Sequence, residues 1–212
     1  MNTPDGTPPR VFDPLLRLVH GWIALAVAVL IATSQLSELF EDRAGERLWW
    51  QWHIISGYAL AAGLMVRLLW ALVGPATARG SDLWHPAAWR AMLALRWPRP
   101  RRGHDAAAAL AFIGFYLVVL MMVLTGLGLA ATEFRTGPLA GLFGGMHRLE
   151  EVFEAPHEAG FALILGFIGV HLAALIYHHW RGERVAQAMV TGRSHLDAGP
   201  DVPRPERSSA QI

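Results

Sequence analysis

Four apolar segments, each long enough to cross a lipid bilayer, constrain this chain more than any other feature. They cover Leu15–Leu36, Trp50–Val73, Ala106–Ala131 and His157–Trp180. A bilayer core ~30 Å thick needs about 20 consecutive apolar residues in a helix. The third segment contains no charged residue, and a mean hydropathy of +0.32 is high for a soluble domain. The sequence therefore predicts an all-α membrane protein built as a bundle of four transmembrane helices.

The arginines predict how this bundle is oriented. Lysine is absent, and fourteen of the 18 arginines lie on the side that holds both termini and the connection between the second and third segments. The other side holds Arg43, Arg47, Arg135 and Arg148, together with most of the glutamates. Because positive residues accumulate on the cytoplasmic side, we expect both termini to be cytoplasmic.

The chain divides into one membrane domain and two tails. We expect residues 1–10 to form a cytoplasmic tail, residues 11–193 to form the four-helix transmembrane domain, and residues 194–212 to form a disordered cytoplasmic tail rich in proline and charge. Outside the four spans, Ala87–Leu95 is predicted to be a short helix on the membrane surface. The stretch "HRLEEVFEAP" has the spacing of a second, interfacial helix on the opposite side.

Four of the ten histidines fall at matching depths in this bundle. His157 and His171 are fourteen residues apart in the fourth segment, which is about 21 Å and almost four helical turns, so they share a face at opposite membrane ends. His53 lies level with His157, and His20 lies level with His171. Two imidazoles from facing helices can bind a haem iron from both sides. The pattern predicts two haems, and the absence of cysteine excludes covalent attachment through a Cys-x-x-Cys-His motif.

Two arginines near the predicted cytoplasmic haem are candidates to bind its propionates. Arg67 follows His53 by fourteen residues, and Arg17 lies one turn before His20. Arginine can hold a carboxylate with two hydrogen bonds; alternatively, both arginines only anchor helix ends at the membrane surface. Small residues near the histidines would let a flat ring approach the helices or would serve helix packing: Gly21, Gly57, Gly160, Gly166 and Gly169.

Four pieces of sequence carry a resemblance that covers nearly the whole chain. They are "FDPLLRLVHGW", "WHIISGYALAAGLMVRLLWALVG", "PHEAGFALILGFIGVHLAALIYHHW" and "AMVTGR". In them the chain resembles the bacterial di-haem cytochrome b family, which includes membrane subunits of nickel–iron hydrogenases and formate dehydrogenases and a small superoxide-oxidising quinone reductase. The resemblance implies a cytochrome b domain in which His53 and His157 bind an outer haem b and His20 and His171 bind an inner one.

The same resemblance implies partners and a location. It implies a quinone as substrate or bound partner, and a periplasmic redox protein or the catalytic subunit of an oxidoreductase at the outer face. It also implies a multi-pass protein in the bacterial inner membrane, with lipid around it and no nucleic acid partner. Relatives often have Gly-His-Asn-Pro at the start of the third helix, where this chain has "GHDAA". The quinone pocket of related subunits lies near the inner haem. The resemblance therefore implies that His104 and Asp105 are candidate quinone neighbours.

Together these features predict an electron-transfer subunit of an oxidoreductase complex, which relays electrons between an outer-face partner and the quinone pool, rather than a stand-alone enzyme. Two other interpretations stay open: a stand-alone superoxide:quinone oxidoreductase and a histidine-based metal transporter. The acidic outer side would repel an anion such as superoxide. A transport pathway usually needs carboxylates inside the membrane, and these segments have almost none. A purely structural anchor would not require level pairs of histidines.

Overall fold

A computed structural model describes residues 12–40, 43–75, 78–94, 106–182 and 185–192. Within these residues the regular structure is helical. In chain order the α-helices are α1 (Pro14–Leu39), α2 (Arg43–Val73), α3 (Pro86–Leu93), α4 (Ala106–Thr132), α5 (Ala140–Phe143), α6 (Glu150–Trp180) and α7 (Val185–Thr191). Four of them, α1, α2, α4 and α6, are long and apolar enough to cross a membrane. The prediction of an all-α bundle with four spans is confirmed.

Local sequence explains where several helices begin and end. Asp13 caps α1 by accepting a hydrogen bond from the Leu16 amide at 3.0 Å, and Pro14 occupies the first helical turn, where its missing N–H costs nothing. The C-terminal ends of α6 and α7 are followed by Gly182 and Gly192, both of which have a positive φ. Glycine adopts this left-handed conformation without a Cβ clash, so it ends a helix cleanly.

Two predicted boundaries differ from the observed ones. The second span begins earlier than expected, because α2 extends back to Arg43. The fourth also begins earlier, because α6 starts at Glu150 and runs through Pro156 without a break. The prediction of a separate interfacial helix in "HRLEEVFEAP" is therefore wrong: most of this segment is the first part of α6. A proline near the start of a long helix removes one backbone hydrogen bond, and here the helix continues past it.

The short surface helix is close to its prediction. The sequence indicated Ala87–Leu95, and α3 covers Pro86–Leu93. The tails predicted for residues 1–10 and 194–212 lie outside the described residues, as do His104 and Asp105.

The long helices pack as two pairs. The most extensive contacts are between α1 and α2 and between α4 and α6, and α2 joins the two pairs by packing on α4. Many large apolar side chains point away from this core and remain exposed, including Leu18, Leu25, Leu72 and Val170. A surface of this kind is suited to lipid, which needs no polar side chains facing it. The core consists of Val19, Ile23, Ala26, Val27, Leu60, Leu64, Val119 and Ile164.

Both ends of the described chain meet at one end of the bundle. The Phe12 amide donates a hydrogen bond to the Gly192 carbonyl at 3.4 Å, and the Arg17 guanidinium donates to the Val190 carbonyl. This arrangement agrees with an even number of membrane crossings. We call this end, which carries Arg17, Arg67, Arg79 and Arg181, the arginine-rich end. The opposite end, which carries Glu38, Glu46, Glu133, Glu150 and Glu154, is the acidic end.

Candidate functional site

His53 of α2 and His157 of α6 meet inside the half of the bundle nearest the acidic end. Their ring centroids are 6.5 Å apart, and the ring planes are inclined by 69°. If both imidazoles bind one metal with bonds of about 2 Å, their ring centroids lie roughly 6 to 6.5 Å apart. The spacing of these two side chains therefore fits axial ligation of a single iron.

The hydrogen bonds of His53 determine which of its nitrogens is available to a metal. Its Nδ1 lies 3.1 Å from the carbonyl oxygen of Leu30 and 3.1 Å from Oγ1 of Thr33, both on α1. A carbonyl oxygen only accepts hydrogen bonds, so Nδ1 carries the proton. The neutral ring then has its lone pair on Nε2. This is the tautomer that a metal ligand needs.

The same assignment holds for His157. Its Nδ1 lies 2.9 Å from Oγ1 of Thr125 on α4. That hydroxyl donates its proton to the Met121 carbonyl at 2.8 Å, so towards the imidazole it acts as an acceptor. His157 therefore carries its proton on Nδ1 and keeps the Nε2 lone pair.

The second pair lies towards the arginine-rich end. His20 of α1 and His171 of α6 are close enough to interact electrostatically. The ring of Phe167 stacks on His171, with centroids 5.9 Å apart and planes inclined by 9°, and Phe112 meets it edge-on at 6.4 Å. The structure thus brings His53 and His157 into ring contact, and it leaves His20 within electrostatic range of His171.

The spaces beside these histidines are partly open. A Cβ atom added to Gly21, Gly57, Gly166 or Gly169 would meet no atom of the described chain within 4 Å. Gly160 is different, because a Cβ there would lie 2.9 Å from Met121 of α4. Gly21, Gly166 and Gly169 are exposed and Gly57 is half-buried, so no packing contact requires glycine at these four positions, whereas Gly160 lets α4 and α6 pack closely.

Arg67 is a buried cation with neutral partners. Its side chain is 7% exposed, its Nε donates to the Tyr116 hydroxyl at 3.0 Å, and its Nη1 donates to the Ala78 carbonyl at 3.1 Å. The guanidinium also lies over the Tyr116 ring, 5.4 Å from its centroid. Within the described part of the chain, Nη2 makes no hydrogen bond, so one amino group remains for an anion. Sequence analysis did not identify Tyr116.

Arg17 has a structural role that the sequence did not reveal. Its Nη1 donates to the Val190 carbonyl near the end of α7, and its guanidinium lies against Gly192. Its Nε is buried and makes no hydrogen bond to the described residues. Arg17 therefore connects the start of α1 to α7, and its role towards a propionate stays a prediction. The assignment of His104 and Asp105 to a quinone also stays a prediction.

The acidic end has a distinct electrostatic character. Partial burial, followed by the negative charges of Glu150, Glu154 and Glu46, raises the pKa of Glu133 above its usual value. His147 pairs there with Glu150, with 2.6 Å between Nδ1 and Oε1. Among the residues with described structure, no group of three or more histidine, cysteine, aspartate or glutamate side chains could hold a metal ion. Among the membrane-spanning histidines, His53 and His157 meet as a pair, and two imidazoles are the donor set that completes an iron already held by four porphyrin nitrogens.

Comparison with known proteins identifies the family. The family model described as prokaryotic cytochrome b561 matches residues 11–192, a range that includes every residue whose structure is described. The chain belongs to the prokaryotic cytochrome b561 family. It is therefore a b-type cytochrome that binds haem and transfers electrons, and its four spans make it a multi-pass bacterial membrane protein. Its haem is non-covalent, since the chain has no cysteine.

Individual relatives agree with this assignment. The cytochrome is 27% identical to a probable Ni/Fe-hydrogenase B-type cytochrome subunit of Azotobacter chroococcum, over 76% of this chain and 78% of the relative. It is 25% identical to the probable Ni/Fe-hydrogenase 1 B-type cytochrome subunit of Escherichia coli K12, over 87% of this chain and 90% of the relative. A probable Ni/Fe-hydrogenase B-type cytochrome subunit of Cupriavidus necator is 28% identical, over 86% of this chain and 85% of the relative. No solved structure matches the chain.

Proposed function

We propose that this cytochrome holds two haems b and relays electrons across the bacterial inner membrane. The observation that carries the proposal is the presence of two histidine pairs at different depths of one bundle. In one pair, the ring spacing of His53 and His157 and the acceptor atoms beside their Nδ1 atoms support axial ligation of a single iron. His20 and His171 form the other pair, nearer the arginine-rich end.

Each pair has a defined task in this proposal. His53 and His157 bind the outer haem through Nε2, and His20 and His171 bind the inner haem. A haem with two imidazole ligands supplies a reversible one-electron iron couple and has no open coordination position. The protein therefore contributes ligation, orientation and electrostatic tuning, and the site is suited to electron relay rather than to chemistry on a small molecule bound at iron.

Charged residues at the arginine-rich end support the inner site. Nη2 of Arg67, which makes no hydrogen bond to the described residues, would be available to a haem propionate, while Tyr116 and the Ala78 carbonyl keep the guanidinium in place. Arg17 is a second candidate, through its Nε, which makes no hydrogen bond to the described part of the chain. A buried arginine is costly in a membrane unless it meets an anion or several acceptors, so a propionate partner would explain why the charge is retained.

We further propose that the relay connects an oxidoreductase with quinone. The relatives named above are hydrogenase cytochrome subunits, and by analogy the catalytic subunit of such an enzyme would contact the acidic, outer end. Quinone would exchange electrons near the inner haem, where His104 and Asp105 immediately precede α4. The acidic end gives no attraction to superoxide, because the carboxylates around Glu133 repel anions.

One measurement tests the core of this proposal. The protein is purified in detergent, its reduced-minus-oxidised visible spectrum is recorded, and haem is quantified per chain. We expect two low-spin b haems per chain. No haem, or a single haem, would contradict the di-haem assignment. Addition of a short-chain quinone to the reduced protein then tests the quinone link, and failure to reoxidise the haems would count against it.

A further inference from the structure

The two outer histidines are held by the same arrangement on two different helices. His53 contacts the hydroxyl of Thr33 and the carbonyl of Leu30, three residues earlier on α1. His157 contacts the hydroxyl of Thr125, which lies 3.3 Å from the carbonyl of Met122, three residues earlier on α4. The sequences "LIAT" and "MVLT" thus form two equivalent acceptor sites, one in each helix pair.

Each threonine is restricted to accepting a hydrogen bond from its histidine. Thr33 donates its own proton to the Val29 carbonyl at 2.8 Å, and Thr125 donates to the Met121 carbonyl at 2.8 Å. Both side chains are buried, at 3% and 8% exposure, so water does not easily replace their hydroxyls. An acceptor on the Nδ1–H of an imidazole fixes the ring orientation and makes Nε2 a stronger donor to a metal.

We propose that Thr33 and Thr125 are positioning residues of the outer haem site, which act through His53 and His157 to fix the ligand tautomer and the angle between the rings and to lower the reduction potential of this haem. The proposal rests on the proposed function, in which these two histidines are the axial ligands. The lower potential follows because a stronger imidazole donor stabilises the oxidised, more positive iron.

The inner site has a different environment. Across the described residues, no hydrogen bond reaches a ring nitrogen of His20 or His171. His171 is instead held by the rings of Phe167 and Phe112. Removal of the threonine hydroxyls should therefore change the reduction potential of only one of the two haems. A general change in the protein would shift both potentials.

The test compares Thr33→Val, Thr125→Val and the double variant with the wild-type protein. Valine keeps the branched shape and removes the hydroxyl. Thr132→Val is the matched control, because Thr132 is also buried on α4 and donates to the Gly128 carbonyl, but no hydrogen bond links it to a histidine among the described residues. Thr33→Ser and Thr125→Ser restore the hydroxyl. Potentiometric titration gives the two haem potentials, and electron paramagnetic resonance reports the angle between the ligand planes.

We expect the potential of one haem to rise in the valine variants while the other stays constant. A change on the order of tenfold in the redox equilibrium is typical of such an indirect contact to a metal, and it equals about 59 mV for one electron. Ligand planes inclined by 69° make two iron d orbitals nearly equal in energy, so the oxidised outer haem should give a strongly anisotropic low-spin signal. This signal should change in the valine variants and should return in the serine variants.

Two results would overturn the proposal. One is a double valine variant that keeps both haems with unchanged potentials and resonance signals. The other is an equal shift in Thr132→Val. If valine removes the outer haem, the serine variants decide: wild-type haem content and potential support the hydroxyl role, and loss of haem assigns both positions to packing alone. A wild-type protein without two haems would instead contradict the proposed function before any variant is compared.

Discussion

The imidazole rings of the two histidine pairs are held by different forces. His53 and His157 are oriented by directional hydrogen bonds that they donate to acceptors on neighbouring helices. His171 is oriented by ring stacking on Phe167, which restrains the ring plane without selecting a nitrogen. The pair His53 and His157 is consequently more sensitive to the loss of a single polar atom, and His171 is more sensitive to changes in aromatic packing.

Removal of single histidines should divide the haem content in half. His53→Ala or His157→Ala should abolish the outer haem, and His20→Ala or His171→Ala the inner one, because one imidazole cannot hold a six-coordinate low-spin haem in place. Haem per chain and the surviving redox wave measure the outcome. His147→Ala is the control, since His147 pairs with Glu150 at the surface. Two haems in His171→Ala would contradict the pairing.

Removal of the buried charge at Arg67 should lower the potential of the inner haem. A nearby cation favours the reduced iron, which has one positive charge fewer, and an interaction of roughly 1 kcal/mol is reasonable at an effective dielectric constant of ~20. Arg67→Met removes the charge. Tyr116→Phe keeps the charge and removes only one acceptor, so it serves as the control. Equal potentials in Arg67→Met and wild type would place Arg67 away from the haem.

At the scale of helices, small residues determine how closely α4 and α6 approach. A Cβ atom on Gly128 would lie 2.6 Å from Cγ of Phe153, which is the root of a rigid ring. Gly128→Ala should therefore force the helices apart and destabilise the protein by about 1–3 kcal/mol, as overpacking does. Gly114→Ala on the same helix meets no described atom within 4 Å. Thermal unfolding in detergent compares them, and equal midpoints would contradict the close approach.

The end of α7 gives a second prediction at this scale. Gly192 has φ of +78° and Gly182 has φ of +79°, so alanine at either position costs about 1–2 kcal/mol of backbone strain. Only at Gly192 would a Cβ also meet the chain, 2.9 Å from the Phe12 carbonyl. Gly192→Ala should detach α7 from the start of α1 and increase amide exchange in α7. Gly182→Ala should leave this contact intact, and identical exchange in the two variants would contradict the prediction.

For the whole molecule, charge is divided between the two ends of the bundle. The raised pKa of Glu133 means that the folded protein binds this proton more tightly than the unfolded chain does. The contribution of Glu133 to stability is therefore fully present below its unfolded pKa and is lost as pH rises through its folded pKa. At neutral pH the ionised carboxylate opposes folding, because it is partly buried among like charges.

Neutralisation of this carboxylate should therefore stabilise the protein at neutral pH. Glu133→Gln should unfold at a higher temperature than wild type at pH 7, and the difference should disappear below the unfolded pKa of a glutamate, about 4.3. Glu38→Gln, an exposed carboxylate at the same end, is the comparison. A stabilisation of Glu133→Gln that persists unchanged in acid would show that charge is not its cause.

The sequence alone determined the architecture. Four hydrophobic segments require four spanning helices, because backbone polar groups cannot remain unpaired in lipid. The helical period then placed His157 and His171 on one face of α6, and the spans set His53 and His20 at the same depths. These predictions depend only on the geometry of a single helix and on depth in the membrane. They do not require the rotation of each helix about its own axis.

Only the tertiary structure decided which groups touch the histidines and arginines. Thr33 reaches His53, Thr125 reaches His157 and Tyr116 reaches Arg67 across helix boundaries. These contacts depend on the rotation and spacing of neighbouring helices and on side-chain rotamers, which pairwise packing sets. The start of α6 at Glu150 also became known only from the structure. Hydropathy identifies the apolar part of a helix and does not show how far polar residues extend it. Sequence thus predicted the depth of each histidine, and packing determined the hydrogen-bond partners and orientation of its ring.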